Sequence, residues 1–503
     1  MFLTFNIKLW NWNQKFQLCS MRLKISSRWI ALISLGGIFL MHLPFLYADP
    51  DIHLCCSRDA WGSEGLTVIQ VRNLVTQGYL SFTESDNLLK MPLFNLIMLS
   101  SFNLFGTDLL VARLTSLIIV LASVFIAGEI SGKQKFTPLL FVVVLLQYQT
   151  FQYSHMVMSE MTGIAMLVLS GAFFLRSFHQ SESRSGWLFI SSLFVVFSYW
   201  IKVQFAYFIP LLPLTIMSSR LFKIADFSRR DAAFSLIWQV FFAGIYFLVW
   251  YWPHRNFYNQ VMLWESAGRF TTLTDLPNQI WINVKLVLLS IQTRWFIVPA
   301  GLAILAGIYA WLRSGDSEFR ILFLFLIIIL ILESHKLLMT YLPPRYQVSI
   351  YFFTAFTAAA SLIYSYENSR HLKHKILVAV LFAALVVKNG VDYFETYTDR
   401  QYSVWNMNNY VNRACNRQQT ILGSWAPAIT WQSKSRAIPV WKDIIADSIN
   451  LRQYHARAVV ADLADPDSTS VFIKHGINLS TDSDSSRRFS LGPWKLEIFW
   501  LHK

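Results

Sequence analysis

Ionisable side chains cluster in the stretch that follows the first apolar segment of the chain. Residues 51–114 contain Glu64, Arg72, Lys90 and Arg113 within segments that are otherwise apolar and aromatic. A charge in such surroundings is costly unless it is paired or used. This stretch, placed between two hydrophobic segments, predicts a membrane-surface site for an anionic substrate.

Two carboxylates are candidates for proton transfer. Glu64 lies at the start of an amphipathic helical pattern, and Glu160 opens a later apolar segment on the same predicted side of the membrane. Two carboxylates from separate loops on one face can act as a general base and its orienting partner. Each also has a simpler interpretation: Glu64 as a carboxylate favoured by a helix dipole, and Glu160 as a capping or interfacial acid.

Four cations are candidates for binding a phosphate, namely Lys90, Lys202, Arg269 and Arg345. Each stands in an external loop or at the predicted external end of an apolar segment. Cations that converge on one membrane face can neutralise a phosphate at the level of the lipid headgroups. For any single one of them, snorkelling towards the headgroups is the alternative.

Apolar segments make up most of the chain and must position these residues. The chain is 54% hydrophobic and only 14% charged, with 41 Phe and 19 Trp, which is typical of a polytopic membrane protein. We predict about eleven membrane spans. They cover residues 29–46, 109–130, 136–151, 162–178, 187–200, 205–218, 234–252, 295–312, 319–332, 346–364 and 376–391.

Lysines and arginines fall on one side of these segments. They occupy the amino-terminal region and alternate short loops, for example Arg220, Lys223, Arg229 and Arg230, and such loops stay in the cytoplasm. With an odd number of spans, the amino terminus is predicted to be cytoplasmic, and residues 51–114, 256–294 and the carboxy-terminal region external. This bias accounts for a good share of the net charge of +14, so the charge requires no nucleic-acid partner.

The chain changes character after residue 391, where apolar runs shorten and charges and turn residues become frequent. We predict two domains, a transmembrane domain over residues 1–391 and an extracytoplasmic domain over 392–503. In the second domain TILGSW, ARAVVADL and FSLGPWKLEIFWL predict strands, AITWQS and DIIADSINLRQY predict helices, and DSTS and STDSDSSRR predict exposed loops. The length suffices for a small α/β or mixed domain.

The order of the motifs resembles a known superfamily. The chain resembles the GT-C-fold glycosyltransferases of the protein O-mannosyltransferase and lipid A aminoarabinose transferase superfamily. The resemblance rests on the order of an acidic residue, then RNL, K-x-P-L, LFG and ARL, a second acid at the start of a span, and a later P-R-Y. The resemblance covers residues 29–391 and is strongest over 64–114. It implies a GT-C-like polytopic α-helical protein with about eleven transmembrane helices, an external first-loop helix pair and a small carboxy-terminal α/β extracytoplasmic domain.

The resemblance also implies roles for individual residues. The family's first-loop Asp-Glu corresponds to Ser63-Glu64, so a serine stands where the family usually has an acid. Its Lys-Pro-Pro-Leu corresponds to the run from Lys90 to Leu93. The implied catalytic residues are Glu64 and Glu160, and the residues expected to bind the donor are Lys90, Lys202, Arg345 and Tyr346, beside the loop cation Arg269.

Members of that family move a sugar from a polyprenyl-phosphate donor to an acceptor on the external or lumenal face. The resemblance therefore implies an inverting glycosyltransferase of the bacterial inner membrane whose acceptor is a lipid, a glycan or a protein. A carboxylate takes the proton of the attacking hydroxyl, and cations stabilise the leaving phosphate. No cofactor or metal is expected, because the cations already supply positive charge and the four cysteines match no metal spacing.

Two other classes of function stay open. A transporter or flippase of lipid-linked saccharide also needs cations at the headgroup level, but it is expected to carry charges at the bilayer midplane and two related halves. The sequence shows neither feature. A non-catalytic scaffold is the third class, and Ser63 favours it.

Overall fold

The computed structural model describes residues 27–54, 59–132, 137–180, 182–258, 272, 274–416, 419–442 and 449–502. Within these ranges the chain is mostly helical, with one small sheet towards its carboxyl end. Arg269, one of the predicted phosphate-binding cations, lies outside the described residues.

Helices of very different lengths follow one another from residue 27 to residue 414. They are α1 (Ser27–His42), α2 (Asp59–Thr67), α3 (Ile69–Gln77), α4 (Asn87–Lys90), α5 (Pro92–Phe105), α6 (Leu109–Ser131), α7 (Thr137–Leu140), α8 (Tyr148–His155), α9 (Ser159–His179), α10 (Arg184–Ile201), α11 (Leu211–Leu221), α12 (Arg229–Tyr246), α13 (Leu276–Leu288), α14 (Ile291–Arg313), α15 (Ser317–Glu333), α16 (Pro344–Asn368), α17 (Leu372–Thr398) and α18 (Ser403–Ala414).

Capping residues set several of these boundaries. The Asp108 side chain accepts a hydrogen bond of 2.7 Å from the Leu110 N–H at the start of α6, and Gly132, with φ +69°, ends that helix in the left-handed conformation. Ser228 and Asp231 form a reciprocal capping box at the start of α12. Helix ends at the membrane surfaces are therefore encoded locally.

Nine helices in the described part of the chain are long and apolar enough to cross a bilayer. They contain α1, α6, α9, α10, α12, α14, α15, α16 and α17. This confirms the predicted polytopic helical membrane protein, and the helix pair predicted in the first loop is α2 and α3.

Two of the eleven predicted spans are broken helices. The segment predicted over 136–151 consists of α7, a π-helical turn (Phe141–Leu145) and α8, and the backbone of Gln147 leaves the helical conformation between them. The segment predicted over 205–218 begins as a 3-10 helix (Val203–Phe208) and restarts as α11 after Pro210. Proline lacks the N–H that a continuous helix needs. Hydropathy measures apolar length, so it did not reveal these breaks.

Helix α9 lies at the centre of the bundle and packs against α6 and α10. Two of its glycines permit close approach of aromatic rings. A Cβ at Gly163 would stand 2.6 Å from the Phe205 ring, and one at Gly171 would stand 2.9 Å from the Phe325 ring. The amino-terminal end of α9, which carries Glu160, is thereby held firmly among its neighbours.

The carboxy-terminal part of the chain contains a five-stranded sheet. Its strands are β1 (Thr420–Leu422), β2 (Arg436–Ile438), β3 (Ala458–Asp462), β4 (Ser483–Leu491) and β5 (Trp494–Leu501), in the order β2-β1-β3-β5-β4. β1 is parallel to β2 and β3, and β5 is antiparallel to β3 and β4. Two short helices, α19 (Ala426–Ile429) and α20 (Pro466–Lys474), complete this region.

Several local predictions for this region were wrong. The run FSLGPWKLEIFWL is split between two strands, because Gly492 turns the chain at φ +55°. STDSDSSRR, predicted as a loop, forms much of β4, since a sheet edge pairs through its main chain and tolerates exposed polar side chains. DSTS belongs to α20, which Asp465 caps. Of AITWQS only Ala428 and Ile429 are helical. The described part of DIIADSINLRQY contains a 3-10 helix (Leu451–Tyr454), and residues 443–448 lie outside the described ranges.

The sheet region is attached to the first-loop helices by buried polar contacts. Arg72 donates hydrogen bonds to the Pro427 carbonyl (2.8 Å) and the Thr430 hydroxyl (2.5 Å), and burial lowers the pKa of Arg72 to about 9. Asn73 donates to the Ala437 carbonyl at 2.9 Å. A Cβ at Gly65 would stand 2.2 Å from the Pro427 oxygen, so the two segments touch backbone to backbone. These contacts hold α2 and α3 in place.

Candidate active site

A cavity of about 80 Å³ lies where α4, α9, α10 and α16 meet. Five of the residues predicted for the site line it. They are Lys90, Glu160, Lys202, Arg345 and Tyr346, and the remaining lining residues are Thr67, Asn87, Met91, Met158, Ser159, Val203 and Gln204. The structure thus brings together residues that are up to 256 positions apart in the chain.

The charged residues of the cavity stand at helix ends. Lys90 is the last residue of α4, two residues before the proline that starts α5, and Glu160 lies in the first turn of α9. Lys202 follows α10 in an extended conformation, and Arg345 is the second residue of α16 after two prolines. A proline at the first helical position fixes where a helix begins. The spacing of the cations is therefore set by the helix boundaries.

Glu160 and Lys202 form a buried ion pair at one side of the cavity. Glu160 is 4% exposed and Lys202 is 7% exposed. The Lys202 ammonium also stands 4.8 Å from the centre of the Tyr346 ring, and Gln204 donates a hydrogen bond of 3.0 Å to the Tyr346 hydroxyl. A buried pair of this kind is costly to maintain in a membrane protein and is typical of a functional site.

Lys90 and Arg345 form the more open side of the cavity. The Lys90 ammonium contacts the Asp86 carboxylate at 2.6 Å, and both side chains are about one-fifth exposed. The Arg345 guanidinium lies 5.1 Å from the Tyr346 ring centre and 3.5 Å from the Ser63 hydroxyl. Ser63, which stands where the resemblance expects an acid, is therefore within reach of a cavity cation.

Glu64 does not line the cavity. Its carboxylate forms an ion pair with Arg113, in which the Arg113 Nε donates to Oε1 at 2.9 Å and an Nη donates to Oε2. The Val157 N–H also donates to Oε1 at 2.9 Å. Arg113 in turn donates to the carbonyls of Phe45 (2.9 Å) and Ala48 (2.7 Å). These contacts tie the first loop to α6, and a catalytic role for Glu64 stays a prediction.

A second ionic group lies behind the cavity and was missed by the sequence analysis. Lys336 contacts Glu333 at 2.7 Å and donates to the Tyr346 carbonyl at 2.8 Å, and Glu333 accepts from Tyr207 (2.5 Å) and Ser349 (2.8 Å). The group connects the segment after Lys202 to the start of α16. Two opposite charges at the end of the apolar run of α15 were the available signal.

In the described ranges, no group of three or more His, Cys, Asp or Glu side chains is placed to hold a metal ion. Among the described residues that line the cavity, the charged groups are the three cations Lys90, Lys202 and Arg345 and the carboxylate of Glu160. This arrangement can bind an anion and, beside it, accept a proton.

No protein-family model matches the chain, and no curated protein matches its sequence. Solved structures do match it. ArnT from Cupriavidus metallidurans in the apo state is 12% identical with a TM-score of 0.60, and the same protein bound to undecaprenyl phosphate is 13% identical with a TM-score of 0.56. Both matches cover 93% of this chain and 97% of the ArnT chain.

A second solved protein is similar over a smaller share of its own length. The Archaeoglobus fulgidus oligosaccharyltransferase in complex with Zn and sulfate is 10% identical with a TM-score of 0.53, over 86% of this chain and 68% of the other. Its complex with an inhibitory peptide and a dolichol-phosphate gives a TM-score of 0.51 at 10% identity, over 86% and 69%. These proteins have the GT-C fold, and this chain therefore has that fold, as the sequence resemblance predicts.

Proposed function

We propose that this protein is a glycosyltransferase that moves a sugar from a polyprenyl-phosphate donor to an acceptor at the extracytoplasmic membrane surface. The observation that carries the proposal is the cavity at the helix ends, which combines Lys90, Lys202 and Arg345 with Glu160. The solved ArnT was bound to undecaprenyl phosphate and the archaeal enzyme to a dolichol-phosphate, and a lipid phosphate is the ligand that this cavity suits.

The charges of the cavity match a phosphodiester. Three cations and one carboxylate line the cavity, and Asp86 contacts Lys90 from outside the lining, so a positive balance that attracts an anion remains. Charge-assisted hydrogen bonds from lysine and arginine to phosphate oxygens are among the strong ones in proteins. Arg345 supplies a planar donor, and Lys90 and Lys202 supply point charges. The positive balance also stabilises the additional negative charge that the phosphate acquires when it leaves the sugar.

Glu160 is proposed as the general base because it is the carboxylate that lines the cavity. The acceptor oxygen attacks the anomeric carbon, the bond from that carbon to the phosphate oxygen breaks, and the electron pair of the bond stays with the phosphate. Glu160 takes the proton of the acceptor hydroxyl. A phosphate that binds Lys202 competes with Glu160 for this cation, which frees the carboxylate once the donor is in place.

The proposed orientation follows from the distribution of lysine and arginine. It places the amino terminus in the cytoplasm of a bacterial cell and the cavity and sheet region outside the inner membrane. A topology reporter fused after Lys503 is expected to report an extracytoplasmic location. A report of a cytoplasmic location would contradict the orientation. The acceptor stays open among lipid, glycan and protein.

Ser63 supports a second candidate function, a protein that binds the lipid-linked sugar without transferring it. The resemblance expects an acid at this position, and the serine hydroxyl lies 3.5 Å from Arg345. A carboxylate here would face the cavity, whereas the hydroxyl is not basic at neutral pH. Such a protein would bind the donor in the same cavity but would not catalyse transfer of the sugar.

The test is a transfer assay with the full chain in proteoliposomes and a radiolabelled polyprenyl-phosphate sugar. The variant Arg345→Ala is expected to lose donor binding and transfer. The control is Arg255→Ala. Arg255 is exposed and does not line the cavity, and its guanidinium lies 4.6 Å from the centre of the Trp252 ring. Donor binding without release of polyprenyl phosphate would favour the binding protein, and movement of the intact donor across the bilayer would favour a transporter.

A further inference from the structure

The helix that carries Lys90 is too short to hold its own position. α4 consists of 4 residues (Asn87–Lys90), and a single helical turn is unfavourable by itself, because several residues are fixed for one backbone hydrogen bond. Pro92, which starts α5 two residues later, has no N–H with which to continue the hydrogen bonding. Contacts from outside α4 must therefore fix Lys90 at the cavity.

Two such contacts meet at the carbonyl of Leu89, the residue before Lys90. The Trp250 Nε1–H donates to this oxygen at 3.2 Å, and the Tyr258 hydroxyl donates to the same oxygen. Leu89 is fully buried, and Tyr258 is 2% exposed. A carbonyl in the last turn of a helix lacks a partner within the helix and has two lone pairs. These two donors therefore saturate it.

Gln70 of α3 holds the same turn through a backbone N–H. The Gln70 Oε1 accepts a hydrogen bond of 2.7 Å from the Leu88 N–H, and the Gln70 Nε2 donates to the Ser81 carbonyl at 2.7 Å. Gln70 is itself buried. α4 is thus held between the first loop on one side and the aromatic residues that follow α12 on the other.

The two donors at Leu89 come from an irregular stretch of the chain. Trp250 lies in a π-helical turn (Phe247–Tyr251) that continues α12 after Tyr246, and turns of this kind are rare and frequently stand at functional sites. Because the Tyr258 hydroxyl donates to the Leu89 carbonyl, it accepts from the Tyr246 hydroxyl, which lies 2.5 Å away. The hydrogen bonds therefore form a chain from Tyr246 to Leu89.

This hydrogen-bond chain also reaches the other side of the cavity. The ring centre of Tyr246 lies 4.6 Å from that of Tyr199 and 5.7 Å from that of Trp200. Both partners stand in the last turn of α10, which Lys202 follows directly. Aromatic pairs at such distances contribute stability beyond their buried area. The chain therefore connects the segments that carry Lys90 and Lys202, whose spacing a bound phosphate must match.

We propose that Trp250 and Tyr258 are positioning residues for the transfer reaction, because they hold the Leu89 carbonyl and so keep Lys90 where it meets the donor phosphate. The inference rests on the proposed function, since it takes Lys90 as a phosphate-binding residue. Neither aromatic residue lines the cavity, so each acts on the donor through Lys90. Loss of either donor leaves a buried carbonyl short of a hydrogen bond and loosens α4.

The hold on α4 is tested by amide hydrogen exchange of the full protein in detergent, without donor, read by mass spectrometry on a peptide that covers residues 87–91. Tyr258→Phe keeps the ring and removes the hydroxyl, and Trp250→Phe removes the indole N–H. Each is expected to raise the exchange rate of this peptide about two- to tenfold, as the loss of one hydrogen bond predicts. Unchanged exchange in both folded variants would overturn the proposal.

The matched control for both variants is Tyr364→Phe. The Tyr364 hydroxyl pairs with Ser314 and does not line the cavity, so this variant also loses one tyrosine hydrogen bond. It is expected to leave the exchange rate of residues 87–91 at the wild-type value. An equal rise in Tyr364→Phe would mean that α4 responds to any loosening of the bundle, and it would overturn the specific role of Trp250 and Tyr258.

The consequence for the donor is tested by a double-mutant cycle with Lys90→Ala, in which the Kd for undecaprenyl phosphate is measured in detergent. Tyr258→Phe alone is expected to raise this Kd about two- to tenfold. In the Lys90→Ala background the same change should alter the Kd by less than about twofold, since a residue that acts through Lys90 then has nothing to position.

The cycle separates this inference from the proposed function. An unaltered Kd in Tyr258→Phe, or equal effects of Tyr258→Phe in the two backgrounds, would overturn the positioning role and leave the donor site in place. An unaltered Kd in Lys90→Ala would contradict the phosphate-binding role of Lys90, and the positioning role would fall with it.

Discussion

Two buried ion pairs lie near the same end of the bundle, and their surroundings differ. Arg113 binds both oxygens of Glu64, and a backbone N–H donates to the same carboxylate. The pair has no place in the cavity lining. Glu160 and Lys202 are equally buried, but both line the cavity together with two more cations.

The difference shows that burial of a charge does not by itself identify a catalytic group. The Glu64 carboxylate accepts hydrogen bonds from Arg113 on both oxygens and from the Val157 N–H, and these bonds join distant segments of the chain. A carboxylate held by a single lysine beside a cavity can exchange that partner for a substrate. We propose that the Glu64 pair is the structural one and the Glu160 pair the reactive one, and mutations can separate the two.

The largest expected effect is on turnover. Glu160→Gln is expected to reduce transfer about 10²- to 10⁴-fold, which is the usual contribution of a general base, while donor binding persists because the three cations remain. Glu64→Gln is expected to retain most of the turnover per folded molecule. Both variants are compared by their initial rates of transfer. Each rate is divided by the amount of folded protein, which size-exclusion chromatography measures. If Glu64→Gln lost transfer and Glu160→Gln kept it, the two assignments would have to be exchanged.

The free energy of unfolding is expected to fall more in Glu64→Gln than in Glu160→Gln, which is the reverse of the order expected for turnover. Glu64→Gln leaves the guanidinium of Arg113 buried and unpaired, and breaking a buried ion pair costs about 3–5 kcal/mol. Lys442→Ala is the control, because Lys442 and Asp467 lie 3.8 Å apart with 42% and 59% of their side chains exposed, and an exposed pair contributes about 0–1 kcal/mol. Thermal unfolding in detergent should show a large fall for the first variant and almost none for the second. Similar falls for both would mean that the Glu64 pair is not structural.

The sequence predicted the cavity better than it predicted the ion pairs. Lys90 and Arg345 could be found because prolines mark the helix starts beside them, and Glu160 because it opens an apolar segment. The partner of Glu64 could not be found, since Arg113 is 49 residues away in the chain and only the tertiary fold brings the two side chains together.

Backbone breaks were the other feature that the sequence concealed. Apolar composition continues through Gln147 and Pro210, so the segments around them read as whole spans, although the structure divides each of them. The same limit applies to the Glu333 and Lys336 group, whose role depends on its contacts with Tyr346 and not on its own neighbours in sequence. Local composition predicts where a helix lies, and tertiary contacts decide what its ends do.

A smaller effect is expected on the affinity for the donor. Lys90→Ala removes one charge-assisted hydrogen bond to the phosphate, which contributes about 1.5–3 kcal/mol, so the Kd for a polyprenyl-phosphate sugar should rise about 10- to 150-fold. Lys388→Ala is a control, because Lys388 is paired with Asp392 within α17 and does not line the cavity. Equilibrium binding in detergent measures the change. An unaltered Kd in Lys90→Ala would assign this lysine to lipid headgroups.

The smallest expected effect concerns Tyr346, whose ring contacts the reactive pair and not the structural one. The Lys202 ammonium stands 4.8 Å from the ring centre, and Gln204 donates to the hydroxyl at 3.0 Å. Tyr346→Phe keeps the ring and removes the hydrogen bond from Gln204, which contributes about 0.5–1.5 kcal/mol. The KM for the donor is expected to rise about two- to tenfold with little change in kcat, because the ring still supports Lys202.

The control for Tyr346 lies in the same helix. The Tyr351 hydroxyl donates to the Val287 carbonyl at 2.7 Å, away from the cavity. Tyr351→Phe should lower thermal stability by a similar free energy and leave the KM unchanged. If both variants changed the KM equally, the effect would come from a general loosening of α16, and the hydroxyl of Tyr346 would have no specific part in holding the reactive pair.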